Sequence, residues 1–173
     1  MTKHFANAMT LSRIILSPIF LLCLFNKVPQ IITLIIFLLA ALTDFVDGWW
    51  ARKHAVISNF GKIADPIADK ALTGAAWIGF SMLGPIPWSA TIIILIREIG
   101  ITVWRLTLVN KTVLAADRSG KWKTTLQIVT ISFYILGVQD IVPPVMLVLL
   151  WVTVAFTALT GVRYLAMART GIA

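Results

Sequence analysis

A chain of 173 residues that is 59% hydrophobic and only 13% charged, with a mean hydropathy of +0.92, lies far from the roughly 25% charged composition of soluble domains. A water-solvated globule is excluded, and lipid is the expected solvent for most of the surface. The net charge of +8 is carried without a basic soluble domain or an aromatic-interleaved basic patch, so nucleic acid is set aside as a partner, and the single Cys23 excludes a disulfide framework.

At about 20 apolar residues per bilayer crossing, the length accommodates six spans in one membrane-embedded domain covering residues 1–173. Lys3 and Arg13 precede the first apolar run in the manner of a signal peptide. Arg13 and Pro18 interrupt that run, however, and no small-residue cleavage site closes it before Asn26 and Lys27, so the segment reads as a permanent helix. In chain order the predicted helices are Thr10 to Phe25, Val28 to Trp50, Gly61 to Leu83, Trp88 to Val109, Lys123 to Val138 and Pro143 to Met167. They are separated by the polar stretch 52–60, the Gly84-Pro85-Ile86-Pro87 turn, the basic stretch 110–121 and Gln139-Asp140. Backbone polar groups must be satisfied within the lipid, which selects helices over an open sheet. The fold class is all-α integral membrane.

With the N-terminus placed in the cytoplasm, Lys3, Arg52, Lys53, Lys111, Arg118, Lys121, Lys123 and Arg169 fall on the cytoplasmic side and Lys27 falls outside. The positive-inside rule favours that orientation, with both termini cytoplasmic. A compact multi-pass chain of this kind fits a bacterial inner membrane. The same basic segments also favour anionic head groups or an anionic substrate. Trp49, Trp50, Trp88 and Trp104 read as interfacial anchors.

Four of the seven acidic residues fall between Asp44 and Asp69, at the end of the second predicted helix and the start of the third. Asp44 and Asp47 are spaced i,i+3, and Asp65 and Asp69 i,i+4, so each pair shares a helix face. Four facing carboxylates repel one another unless a cation resolves them. A hard oxygen site of this kind suits Mg2+ or Mn2+, with open positions left for water and substrate phosphates. Gly48 and Gly61 remove side chains on the same faces, and Arg52 offers a planar fork suited to phosphate.

Residues 44–69 read DFVDGWWARKHAVISNFGKIADPIAD and match D-x2-D-G-x2-A-R-x8-G-x3-D-x3-D at all eight fixed positions. The segment resembles the signature of the CDP-alcohol phosphotransferases. That resemblance implies six transmembrane helices, usually in a homodimer, around a polar cavity on the cytoplasmic side. It makes Asp44, Asp47 and Asp65 metal ligands for two divalent ions, places Asp69 near the metals as general base, and lays Gly48, Ala51 and Arg52 along the CDP group. Asn7, Thr10 and Arg13 resemble the N-x2-T-x2-R opening of related members, which also approaches CDP; an N-cap followed by a snorkelling arginine is the competing explanation.

Within the family, Asp65-Pro66-Ile67-Ala68-Asp69-Lys70 and Gly120-Lys121-Trp122-Lys123-Thr124-Thr125-Leu126-Gln127 resemble the branch whose donor is CDP-diacylglycerol and whose acceptor is glycerol 3-phosphate. An anionic acceptor needs cations beside the metals, and Lys70, Arg97, Arg105, Arg118, Lys121 and Lys123 are the candidates. Arg97-Glu98 sits midway along an apolar helix, where charge is costly, and is expected to face the protein interior. It serves there either as part of an acceptor-phosphate site or as an interhelical ion pair. Sister phosphatidyltransferases using inositol phosphate, phosphatidylglycerol, serine or an amino alcohol are the nearest alternatives. A divalent-cation transporter is the distant one.

Overall fold

The computed structural model describes residues 2–54, 61–108 and 118–170, with side chains described for 11–12, 14–43, 70–104, 120 and 122–166. Among these residues there are helices and short turns and no strand: α1 (Thr2–Phe25), α2 (Gln30–His54), α3 (Gly61–Leu83), α4 (Trp88–Leu108), α5 (Arg118–Ile135), α6 (Val138–Ile141) and α7 (Pro143–Thr170). The bounds of α3 coincide with those read from the sequence. By contrast α1 starts well before Thr10, α2 starts after Pro29 rather than at Val28, and α5 starts before Lys123 and stops short of Val138.

The start of α2 and the end of α5 have local causes. Pro29 has no N–H to donate, but its carbonyl accepts from Ile32 and Thr33 at 2.9 and 3.1 Å, so it opens α2 from just outside. The α5 helix gives way because Gly137 adopts φ 71, a left-handed backbone that favours glycine, and the chain re-enters a four-residue turn as α6. Gly84 closes α3 in the same way, with φ 100 and its N–H donating to the Phe80 carbonyl at 3.1 Å.

The helices pack around an apolar centre that includes Phe20, Phe37, Trp77, Phe80, Ile131 and Leu150. Phe20 of α1 meets Phe37 of α2 with ring centroids 5.4 Å apart, and Phe80 of α3 meets Tyr134 of α5 at 5.7 Å. Helix α1 lies against both α2 and α3, α4 against α3 and α7, and α5 against α7, α2 and α3. Gly79 permits the α1 approach: a Cβ there would sit 2.9 Å from both the Leu21 and Leu24 methyls.

The distribution of polarity is reversed relative to a soluble protein. Leu22, Ile31, Ile96, Val148 and Leu159 are exposed, whereas Thr91, Gln127, Thr130, Thr153 and Thr157 are buried. The buried groups join helices directly, through Ser81–Thr91 at 2.6 Å, Thr130–Thr153 at 2.8 Å and Gln127–Thr157 at 3.1 Å. Polar contacts inside and apolar faces outside are what a lipid solvent requires. Pro143–Ala166, 24 residues of mean hydropathy 2.3, is the one described segment long and apolar enough by itself to cross a membrane. Shorter apolar stretches occupy Ile14–Phe25 and Gln30–Thr43. Helices α3, α4 and α5 bring Lys70, Arg97, Glu98 and Lys123 to a common polar site.

Candidate active site

Glu98 is the centre of that site. It lies on the interior face of α4, 5% exposed, as the cost of charge in an apolar helix demands. Three helices contribute cations to its carboxylate. Lys70 of α3 places Nζ 2.9 Å from Oε2 as an ion pair. Lys123 of α5 pairs with Oε1, and Arg97, the preceding residue on α4, approaches Oε1 at 3.3 Å. Gln127 Nε2 donates to the same oxygen at 3.4 Å.

Periodicity explains how these groups meet. Lys123 and Gln127 are four residues apart on α5 and share a face, as do Thr157, Thr160 and Gly161 on α7. Gln127 Nε2 also donates to Thr157 Oγ1 at 3.1 Å, and Arg97 donates to Thr160 Oγ1 at 3.4 Å. Gly161 makes room for the arginine, since a Cβ there would stand 2.8 Å from Arg97 Cγ.

Among the described side chains, three cations meet this one carboxylate. Burial is graded across them: the side chain of Lys70 is 35% exposed, that of Arg97 15% and that of Lys123 4%. Removing charge from water is repaid only where an opposite charge is supplied, and Glu98 supplies one. The interior placement expected for Arg97-Glu98 is the one observed. Of the two alternatives for this pair, the interhelical ion pairing is seen directly, since Glu98 links α3, α4 and α5.

Of the cations proposed from sequence, Lys70, Arg97 and Lys123 converge, and Lys123 is buried within α5 rather than lying in a solvated loop. The side chains of Arg105, Arg118 and Lys121 lie outside those described. So do those of Asn7, Thr10 and Arg13 on α1, of Asp44, Asp47, Gly48, Ala51 and Arg52 on α2, and of Asp65 and Asp69 on α3. Among the described residues no group of three His, Cys, Asp or Glu side chains forms a metal-binding cluster. Lys70 directly follows Asp69 on α3, so the cationic site adjoins the acidic segment along one helix.

The sequence reading assigned no role to Gln127, Thr157, Thr160 or Gly161. The i,i+4 spacing from Lys123 to Gln127 and the i,i+3,i+4 spacing from Thr157 to Gly161 were the available signals. They pointed to faces but not to which face met Arg97.

The sequence model of the CDP-alcohol phosphatidyltransferase family matches residues 3–159. A Mycobacterium tuberculosis protein named "Probable phosphatidylglycerophosphate synthase" is 39% identical over 170 residues, covering 95% of this chain and 81% of the relative. A Bacillus subtilis protein named CDP-diacylglycerol–glycerol-3-phosphate 3-phosphatidyltransferase is 36% identical, covering 91% of each. A Rickettsia typhi protein of the same name is 34% identical, covering 97% of this chain and 98% of its own. The family resembled by residues 44–69 is thus the family matched along nearly the whole sequence. The chain belongs to the CDP-alcohol phosphatidyltransferase family.

Proposed function

We infer that this chain is an enzyme of phospholipid biosynthesis that transfers the phosphatidyl group of CDP-diacylglycerol to glycerol 3-phosphate, giving phosphatidylglycerophosphate and CMP. The observation that carries the choice of acceptor is the convergence of Lys70, Arg97 and Lys123 on Glu98. Their positive charge suits a phosphomonoester anion, whereas serine brings no phosphate and an amino alcohol is itself cationic. Inositol phosphate would satisfy the charge as well. The printed names of the Bacillus subtilis and Rickettsia typhi relatives favour glycerol 3-phosphate.

The donor side of the site is assigned from the signature. Asp44, Asp47, Asp65 and Asp69 present hard carboxylate oxygens from α2 and α3, a donor set that fits two divalent ions, Mg2+ or Mn2+. When bound, such ions neutralise the charge that develops on the departing CMP. Asn7, Thr10, Arg13, Gly48, Ala51 and Arg52 bind and orient the CDP group. Asp69 takes the proton of the attacking glycerol hydroxyl, which forms the new oxygen–phosphorus bond as the bond to CMP breaks. Lys70, at the next position, and Arg97 hold the acceptor phosphate, with Lys123 behind them; Arg105, Arg118 and Lys121 are further candidates.

The outward apolar faces and the positive-inside pattern support six spans of one domain in a bacterial inner membrane, with both termini and the site cytoplasmic. A homodimer is the assembly implied by the resemblance. The test is CMP release by purified protein with CDP-diacylglycerol and Mg2+, screened over acceptors. Glycerol 3-phosphate is expected to support turnover. Turnover with inositol phosphate but not with glycerol 3-phosphate would overturn the assignment.

A further inference from the structure

Glu98 binds neither substrate in this scheme, yet Lys70, Arg97 and Lys123 converge on it. Its Oε1 is held from α5 by Lys123 and Gln127, which are 3% and 2% exposed, and its Oε2 faces Lys70 of α3 at 2.9 Å. Gln127 is fixed in turn by Thr157, and Arg97 by Thr160. One carboxylate is therefore anchored at Oε1 by Lys123 and Gln127, with Arg97 approaching the same oxygen, and meets the more exposed Lys70 at Oε2. A packing ion pair needs a single cation. Here Lys123 fills that role, and the same carboxylate also meets Lys70 and Arg97, more than packing alone requires.

We propose that Glu98, anchored by Lys123 and Gln127, is a positioning residue that holds Lys70 and Arg97 together in the arrangement that receives the phosphate of the acceptor. The proposal rests on the glycerol 3-phosphate reading of this site. Lys70 and Arg97 carry like charge and long flexible side chains. Without the carboxylate between them they separate, and the acceptor must then order both on binding, at an entropic cost that preorganisation avoids. A second role is conceivable for such a carboxylate, as a stand-in anion that the phosphate displaces. Glu98 is unsuited to it, because Lys123 and Gln127 both hold Oε1 from the buried side and the residue is 5% exposed. The two roles predict opposite changes in acceptor affinity.

The test uses the full chain in lipid nanodiscs, comparing Glu98→Gln with the paired variant Glu98→Gln/Lys123→Gln. Removing one partner of a buried pair leaves a costly charge, whereas removing both does not. The paired variant removes one negative and one positive charge and so leaves the net charge unchanged, which separates positioning from net charge. CMP release is measured with glycerol 3-phosphate varied at saturating CDP-diacylglycerol, and then with the lipid varied. In both variants KM for glycerol 3-phosphate is expected to rise about tenfold, with KM for CDP-diacylglycerol changed by less than about twofold, as loss of charge-assisted contacts at the acceptor alone requires.

If the Glu98→Gln protein does not accumulate folded, the paired variant decides. An unchanged acceptor KM in the paired variant would mean that net charge alone matters and would overturn the proposal. A lowered acceptor KM would mean that Glu98 competes with phosphate and would overturn it too. Parallel loss of both KM values, kcat and thermal stability in the paired variant, or its failure to fold, would reduce Glu98 to packing. A native protein that releases CMP with another acceptor and not with glycerol 3-phosphate fails the functional reading itself. Native use of glycerol 3-phosphate with an unchanged acceptor KM in the paired variant fails only this inference.

Discussion

Lys70 of α3 and Glu98 of α4 form a 2.9 Å ion pair one residue beyond Asp69, which ties the polar centre of α4 to the helix that carries half of the aspartate signature. In the proposed scheme a group in that position touches the acceptor while the acidic residues handle the donor. Lys70→Gln is therefore expected to raise KM for glycerol 3-phosphate and to leave KM for CDP-diacylglycerol nearly unchanged. Because the Lys70 side chain is 35% exposed, solvent screening discounts the contact, and a rise of about three- to tenfold is expected. Steady-state CMP release with each substrate varied in turn checks this; an equal rise in both KM values would detach Lys70 from the acceptor.

Gly161 of α7 sets the place of Arg97 by what it lacks. A Cβ would stand 2.8 Å from Arg97 Cγ and 3.4 Å from Nε, and Cγ lies too near the α4 backbone to swing freely aside. Gly161→Ala is expected to push Arg97 out of reach of Thr160, to cost about 1–3 kcal/mol through overpacking, and to raise the acceptor KM. Thermal unfolding in detergent gives the first quantity, and acceptor titration gives the second. An acceptor KM equal to that of the native protein would show that Arg97 has room to relax.

These two positions show what the sequence could and could not disclose. The aspartate spacing, the glycines and Arg52 form a continuous pattern over residues 44–69, and contiguity made the family legible. The six long helices were legible as well, because apolar runs and the Gly84-Pro85 turn mark them locally. The proposed acceptor site is different in kind. Lys70, Arg97, Glu98, Lys123 and Thr160 come from four helices, and which faces meet is decided by helix packing that no local spacing encodes. Lys123 illustrates the point: counted with the basic stretch it looked like a topology signal, and only the packing of α5 buries it against Glu98.

Gly79 tests the scaffold apart from the site. It brings α1 against α3, with the Leu21 and Leu24 methyls 2.9 Å from where a Cβ would be. Those methyls are the ends of flexible side chains and can shift for a single methyl group, so Gly79→Ala is expected to be mild. Gly79→Val adds a branched group that the helix interface cannot absorb, and a loss of about 1–3 kcal/mol is expected. Because α1 carries Asn7, Thr10 and Arg13, displacement of the helix is also expected to raise KM for CDP-diacylglycerol before that for the acceptor. Unfolding midpoints for the pair of variants, with donor titrations, check both statements.

The last prediction separates the aspartates by role. Asp44 and Asp65 are proposed ligands, so Asp44→Asn and Asp65→Asn are each expected to weaken metal-dependent binding of CDP-diacylglycerol as well as turnover. Asp69 is proposed to take the proton of the attacking hydroxyl, and general-base catalysis contributes about 100- to 10,000-fold. Asp69→Asn is accordingly expected to lower kcat within that range while retaining much of the donor binding. Chelation of divalent ions with EDTA is expected to abolish CMP release by the native protein, and added Mg2+ to restore it. Binding of the CDP-lipid measured with and without Mg2+ for all three variants decides the matter. If all three lose binding equally, Asp69 is another ligand, and the base must be sought among groups that face the glycerol hydroxyl.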